Sequence, residues 1–160
     1  MAEESRAAAH AIWRAALAAG NVGPLVDRAL QRLSLDPTHP SWRHVLVFGC
    51  GKAGGAMAAA LERALGPRIT EGLVVVKDGY TVPTRRIVLR EAGHPVPDAR
   101  GQAAAEAMVH RVRSAGADDL VVFLVSGGGS ALTPAPVPPI TLAENCAASC
   151  PVTSSSASFG

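Results

Sequence analysis

Three short stretches of this 160-residue chain carry residue types and spacings suited to chemistry. The first is GCGKAG, residues 49–54, where Gly49, Gly51 and Gly54 frame Lys52. The second is GHPVPD, residues 93–98, which holds His94 and Asp98 between two prolines. The third is SGGGS, in which Ser126 and Ser130 bracket Gly127, Gly128 and Gly129. Glycine loops at the end of a strand let backbone N–H groups approach an anion closely. A lysine at the mouth of such a loop suits a phosphate or a developing negative charge. A cation at a helix start opposes the helix dipole, so Lys52 gains from an anionic neighbour.

The chemistry of the first loop is open on its residues alone. GCGKAG matches the G-x-G-x-x-G of dinucleotide folds, and Asp78 follows the next apolar run as a candidate ribose partner. A strict Walker A loop is excluded: Leu46 stands where its first glycine belongs and Ala53 where its Ser or Thr belongs. The serine loop is not a hydrolase elbow, since neither serine has glycines two positions away on both sides. Three consecutive glycines cost backbone entropy, and a plain turn needs fewer. His94 suits contact with a substrate oxygen, while Asp98 suits the N-cap of a following helix. Cys50 reads as a structural thiol, with no histidine nearby in sequence to activate it. His10, His39, His44 and His110 show no metal-ligand spacing, so no metal ligands are assigned.

These loops need elements to hold them, and the patterning supplies them. Short apolar runs at 44–48, 72–77, 86–91 and 118–125 read as strands, the glycine and histidine loops following the first, third and fourth. Residues 53–65 and 98–114 read as helices, the second capped by Asp98, with Met108, Val109 and Val112 on its buried side. Two helices come first. One, over the first twenty residues, turns Ile12, Trp13 and Leu17 inward; the other spans 24–35 with Pro24 in its first turn. Residues 36–42 form a proline loop. Alternation of strands with helices implies an α/β fold: a three-layer, Rossmann-like, doubly wound, mostly parallel sheet. In a parallel sheet all three loops share the carboxyl edge, where ligands bind.

Composition narrows the classes. Hydrophobic residues make up 48% and aromatic residues 4%, so the core rests on small aliphatics. A net charge of +2 with scattered basic residues argues against nucleic acid. No apolar run reaches the roughly 20 residues of a membrane span, and Glu3, Glu4 and Arg14 rule out a secretory signal at the start. Three cysteines form no disulfide framework, so a reducing cytoplasm is expected.

FGCGKAGGAMA, EAGHPVPDARG and LVSGGGSALTPAP with ITLAE, in that order, resemble the N-terminal part of the type-2 glycerate kinases, the MOFRL family. The resemblance runs from the first helix to Glu144. It implies an ATP- and Mg²⁺-dependent kinase that phosphorylates glycerate at the 2-hydroxyl to give 2-phosphoglycerate. It implies too a Rossmann-like first domain, a smaller C-terminal domain, and a site between them. Lys52 matches the family's catalytic lysine; Ser126 to Ser130 would hold nucleotide phosphate or substrate carboxylate; His94 and Asp98 would line the site. Homo-oligomerisation stays open.

The end of the chain departs from that pattern. TLAE, residues 141–144, reads as a capping box, but NCAASCPVTSSSASFG follows. Pro151 and the serines at 154–156 do not carry a helix onward, so 1–144 reads as an incomplete domain and 145–160 as an aberrant, disordered tail. On that reading the chain is a fragment with little or no kinase activity. Two rivals remain beside the nicotinamide module: a phosphosugar-binding, isomerase-like domain, and a non-catalytic remnant that binds an anion.

Overall fold

The computed structural model describes residues 2–33 and 41–149. Four strands pair in parallel throughout: β1 (His44–Cys50), β2 (Glu71–Lys77), β3 (Ile87–Ala92) and β4 (Asp119–Val125). Their order across the sheet is β3-β2-β1-β4. Central β1 and β2 are near-continuous Val/Leu/Phe runs, as strands covered on both faces must be.

Side chains alternate across the sheet and sort into two cores. Val45, Val47, Val74, Val76 and Ile87 pack with Ala58, Leu61 and Leu65 of α3 (Gly54–Leu65) and with Val26 of α2 (Val22–Arg32). Leu46, Phe48 and Val75 pack on the opposite face with Ala104 and Met108 of α4 (Ala99–Arg113). The result is the expected three-layer α/β arrangement, with the sheet parallel throughout.

Two crossovers set the chain's direction. β1 runs through α3 to β2 on one side, and residues 78–86 bring the chain back to β3 without a helix. Gly55 makes room for that link: a Cβ there would lie 2.7 Å from the Tyr80 carbonyl oxygen. The α4 crossover then carries the chain to the other side of β1. The sheet's winding therefore reverses between β1 and β4, which is where a doubly wound sheet opens a ligand crevice.

Several expectations are corrected. The first helix, α1 (Ala2–Ala19), forms, but Ile12, Trp13 and Leu17 face outward at 71%, 59% and 57% exposure. No residue of α1 joins either core; the face toward α3 is packed by α2 and α3 instead. Of the three residues expected on the buried side of α4, Met108 is buried with Ala104 and Ala105, whereas Val109 and Val112 are exposed beside the edge strand β4. Helix α2 starts two residues before Pro24 because Asn21 caps it, accepting from the Gly23 N–H at 3.2 Å. The capping box at 141–144 forms: Thr141 N–H donates to Glu144 at 2.7 Å, and the Glu144 N–H donates to the Thr141 hydroxyl at 3.3 Å. A four-residue helix, α5 (Gly129–Leu132), follows the serine loop, and the capped helix, α6 (Leu142–Ser149), runs five residues beyond Glu144. Residues 34–40 and 150–160, with the proline loop's start, His39, the expected end of the second helix and most of the tail, lie outside the described residues.

Candidate functional site

The two glycine loops leave adjacent strands at the switch point and are joined there by hydrogen bonds. Ser126 N–H donates to the Cys50 carbonyl at 3.0 Å, and Lys52 N–H to the Gly127 carbonyl at 3.0 Å. The Ser126 hydroxyl oxygen accepts from the Ala53 N–H at 3.0 Å. Ser126 thus ties the loops together, a role its sequence context did not reveal.

The three framing glycines of GCGKAG are there for close packing. A Cβ at Gly49 would lie 2.5 Å from the Leu124 carbonyl oxygen, and one at Gly54 2.9 Å from a Val74 methyl. Gly51 adopts φ +127° and packs on Ser126, where a Cβ would lie 2.6 Å from the carbonyl oxygen. In a dinucleotide loop the second glycine clears space for a pyrophosphate; here Ser126 fills that space.

The open part of the crevice belongs to the second loop and to Lys52. Nothing lies within 4 Å of the Cβ position of Gly127. Gly128 takes φ +89°, and its Cβ position is 2.7 Å from His94 Nε2 and 3.4 Å from Lys52 Cε. Lys52 and His94, 42 positions apart in sequence, therefore flank one glycine. Cys50 is buried, with its sulfur packed under Gly129 at 2.7 Å from that residue's Cβ position, as a structural thiol. Ser130 is exposed at the loop's far end. Lys52 is exposed and makes no ion pair among the described residues. Helix α3 opens on Ala53, which offers no side-chain cap; the Ala53 N–H goes to the Ser126 hydroxyl and the Gly54 N–H to the Gly51 carbonyl at 2.9 Å, and the helix start carries positive potential.

Asp98 sits near the crevice but is committed elsewhere. One oxygen accepts the Gly101 N–H at 3.0 Å, capping α4, and the other the Gly93 N–H at 2.9 Å and Arg100 Nε at 2.8 Å. Burial pushes its carboxyl up, but the bonds from Gly101, Arg100 and Gly93 outweigh that and hold it below the usual range. Arg100, not singled out from the sequence, also forks onto Asp78 at 2.7 and 2.9 Å. That hydrogen-bonded pair lowers the Asp78 carboxyl and occupies the oxygens a ribose would need. The signal for Arg100 was faint, a lone arginine two residues past a helix cap. Among the described residues no group of three or more His, Cys, Asp or Glu could hold a metal ion.

Fold and site together define a doubly wound α/β domain whose switch point is bordered by two glycine loops, with Lys52, which makes no ion pair among the described residues, and His94 flanking Gly128. A family model described as a domain of unknown function, DUF4147, matches residues 8–159, and the chain belongs to that family, the N-terminal domain of the type-2 glycerate kinases. It is 36% identical over 120 residues to D-glycerate 2-kinase of Thermotoga maritima, covering 74% of this chain and 27% of the relative. The crystal structure of Thermotoga maritima glycerate kinase superposes with a TM-score of 0.78 at 33% identity, over 89% of this chain and 33% of that one. A protein of Agrobacterium vitis that carries the provisional name hydroxypyruvate reductase is 46% identical over 99 residues, 62% of this chain and 26% of its own length. The chain spans about a quarter to a third of the length of such relatives. No helix among the described residues is long and apolar enough to cross a membrane.

Proposed function

We propose that the crevice between residues 49–54 and 126–130 holds the phosphate-bearing ligand of a glycerate 2-kinase, and that this chain supplies one wall of that site. In the full reaction the terminal phosphoryl group of ATP passes to the 2-hydroxyl of glycerate, giving 2-phosphoglycerate. Such transfer depends on positioning and charge neutralisation more than on covalent chemistry. Lys52 supplies the neutralising charge, Gly127, Gly128 and Gly129 with Ser130 supply N–H and hydroxyl donors, and His94 closes the side of the crevice. Ser126, Gly49, Gly51 and Gly54 shape the wall, and Asp98 holds the histidine loop in place.

The observation that carries this reading is the convergence of Lys52 and His94 on Gly128, beside the open Cβ position of Gly127. The residues present fit a phosphate. They do not fit Mg²⁺ by themselves, since Asp78 and Asp98 are both engaged by Arg100, and no step is routed through the metal. One wall binds better than it catalyses, so the 160-residue chain is expected to bind ATP in a Lys52-dependent way and to turn over little or no glycerate. ATP titration by calorimetry and a coupled glycerate assay test both parts. Equal ATP affinity in Lys52→Ala overturns the site, and turnover near a typical ~10 s⁻¹ overturns the one-wall reading.

The provisional reductase name keeps a nicotinamide reading in view. The Ser126-filled glycine loop and the Arg100-bound Asp78 argue against it. Saturable NADH fluorescence with the intact chain would reverse that judgement.

A further inference from the structure

The opposite edge of the sheet carries a second feature. A surface cavity of about 780 Å³ is lined by Glu62, Arg63, Pro67, Thr84, Arg85 and Arg86, among others. Arg85 and Arg86 immediately precede β3, and Pro67 follows α3, so the cavity lies at the amino edge of the strands. Seven-residue strands separate it from the glycine loops by roughly 20 Å.

The charges at this cavity are unbalanced. Among the described residues Glu62 is the only acid lining it. One Glu62 oxygen accepts the backbone N–H groups of Arg85 and Arg86 at 2.7 and 3.0 Å. The other is buried and takes no hydrogen bond among the described residues. The carboxylate therefore pins the backbone that presents the arginines and leaves their guanidinium groups unpaired. Arg86 reaches one neutral acceptor, the Ile69 carbonyl, at 3.2 Å. Arg63 and Arg85 form no ion pair with any described residue.

Arg63 adds an independent sign of a missing anion. Its Nη2 lies 3.2 Å from the Cβ position of Gly23, over the first turn of α2. A guanidinium beside the positive end of a helix is unfavourable, whereas an anion between the two is attracted by both. Three guanidinium groups against the one Glu62 carboxylate leave an excess of two positive charges, of which the C-terminal turn of α3 offsets a part.

We propose that this cavity is a second anion site, separate from the glycine-loop crevice, which takes a phosphate group through Arg63, Arg85 and Arg86. Guanidinium forks match phosphate oxygens in geometry and charge. The volume admits a phosphorylated metabolite or a nucleotide, which share that group. At the far edge of the sheet such a ligand does not compete with the proposed kinase site.

The test is a ¹⁵N NMR titration of the full 160-residue chain with inorganic phosphate, against sodium chloride at matched ionic strength. The expected result is saturable movement of the Arg63 and Arg85 side-chain Nε–H signals and the Arg85 and Arg86 amides. In Arg63→Gln/Arg85→Gln, both exposed positions, the apparent affinity at those amides falls by roughly tenfold or more. Circular dichroism of the variant shows that the fold persists. Movement no larger than in chloride overturns the proposal. So does saturable movement confined to residues 126–130, or unchanged affinity in the double variant. Repeating the titration with a nucleotide and with a small sugar phosphate separates the two ligand sources.

Discussion

Gly51→Ala is the substitution whose outcome the site geometry fixes most tightly. The residue sits at φ +127°, a conformation that costs an L-amino acid about 1–3 kcal/mol. The new methyl would lie 2.6 Å from the Ser126 carbonyl oxygen, so the serine loop must move away from β1. That movement breaks the bond from the Ala53 N–H to the Ser126 hydroxyl and leaves a part-buried donor unpaired, a loss of about 1–3 kcal/mol. The two effects together amount to roughly 2–6 kcal/mol, a large share of a typical domain's stability. For a chain of this size a loss of about 4 kcal/mol lowers Tm by roughly 8–16 °C. Thermal unfolding followed by circular dichroism reads this directly. Gly127→Ala is the matched control: nothing lies within 4 Å of its Cβ position, so its Tm should shift by no more than about 2 °C. Equal Tm values for Gly51→Ala and wild type would refute the reasoning, because they would mean that the loops are not locked together.

Other consequences are open to equally direct measurement. Ser126→Ala removes the link to Ala53 and should destabilise by about 1–3 kcal/mol in urea unfolding. If its effect simply adds to that of Gly51→Ala, the two do not act through the shared contact. Asp98→Ala removes the α4 cap and should cost about 1 kcal/mol or more. The Asp119 carboxyl, like that of Asp98, is held low in the folded chain, by the Gly116 N–H at 2.9 Å and the His44 ring at 2.8 Å; the stabilisation from both is present above the ordinary carboxylate pKa of about 4 and is lost as pH falls through the lower folded values. Acid unfolding monitored by fluorescence should therefore be shallower in Asp98→Asn than in wild type; a parallel curve counts against the assignment. Phe123, 51% exposed on edge strand β4 beside Val109, Val112 and Val121, should drive self-association, so Phe123→Lys should lower the mass seen by light scattering without changing the circular dichroism spectrum.

The sequence by itself determined the alternation of strands and helices, the placement of glycine loops after strands, and the Asp98 cap. These are local: apolar runs too short for helices, a glycine stop, and an aspartate one turn before Gly101 act over a few residues. It also carried the family resemblance, because three separated motifs keep their order. Only the tertiary structure decided what the glycines are for. Gly51 looks like a ligand glycine in GCGKAG, and only the arrival of β4 alongside β1, some seventy residues later in the chain, puts Ser126 against it. The same distance hid the Arg100 fork onto Asp78 and the meeting of Lys52 with His94. Burial was equally non-local. Ile12, Trp13 and Leu17 have the spacing of an inward face, but α1 packs into neither core and the stripe stays exposed. Periodicity records which face is apolar; what packs against it depends on the whole chain.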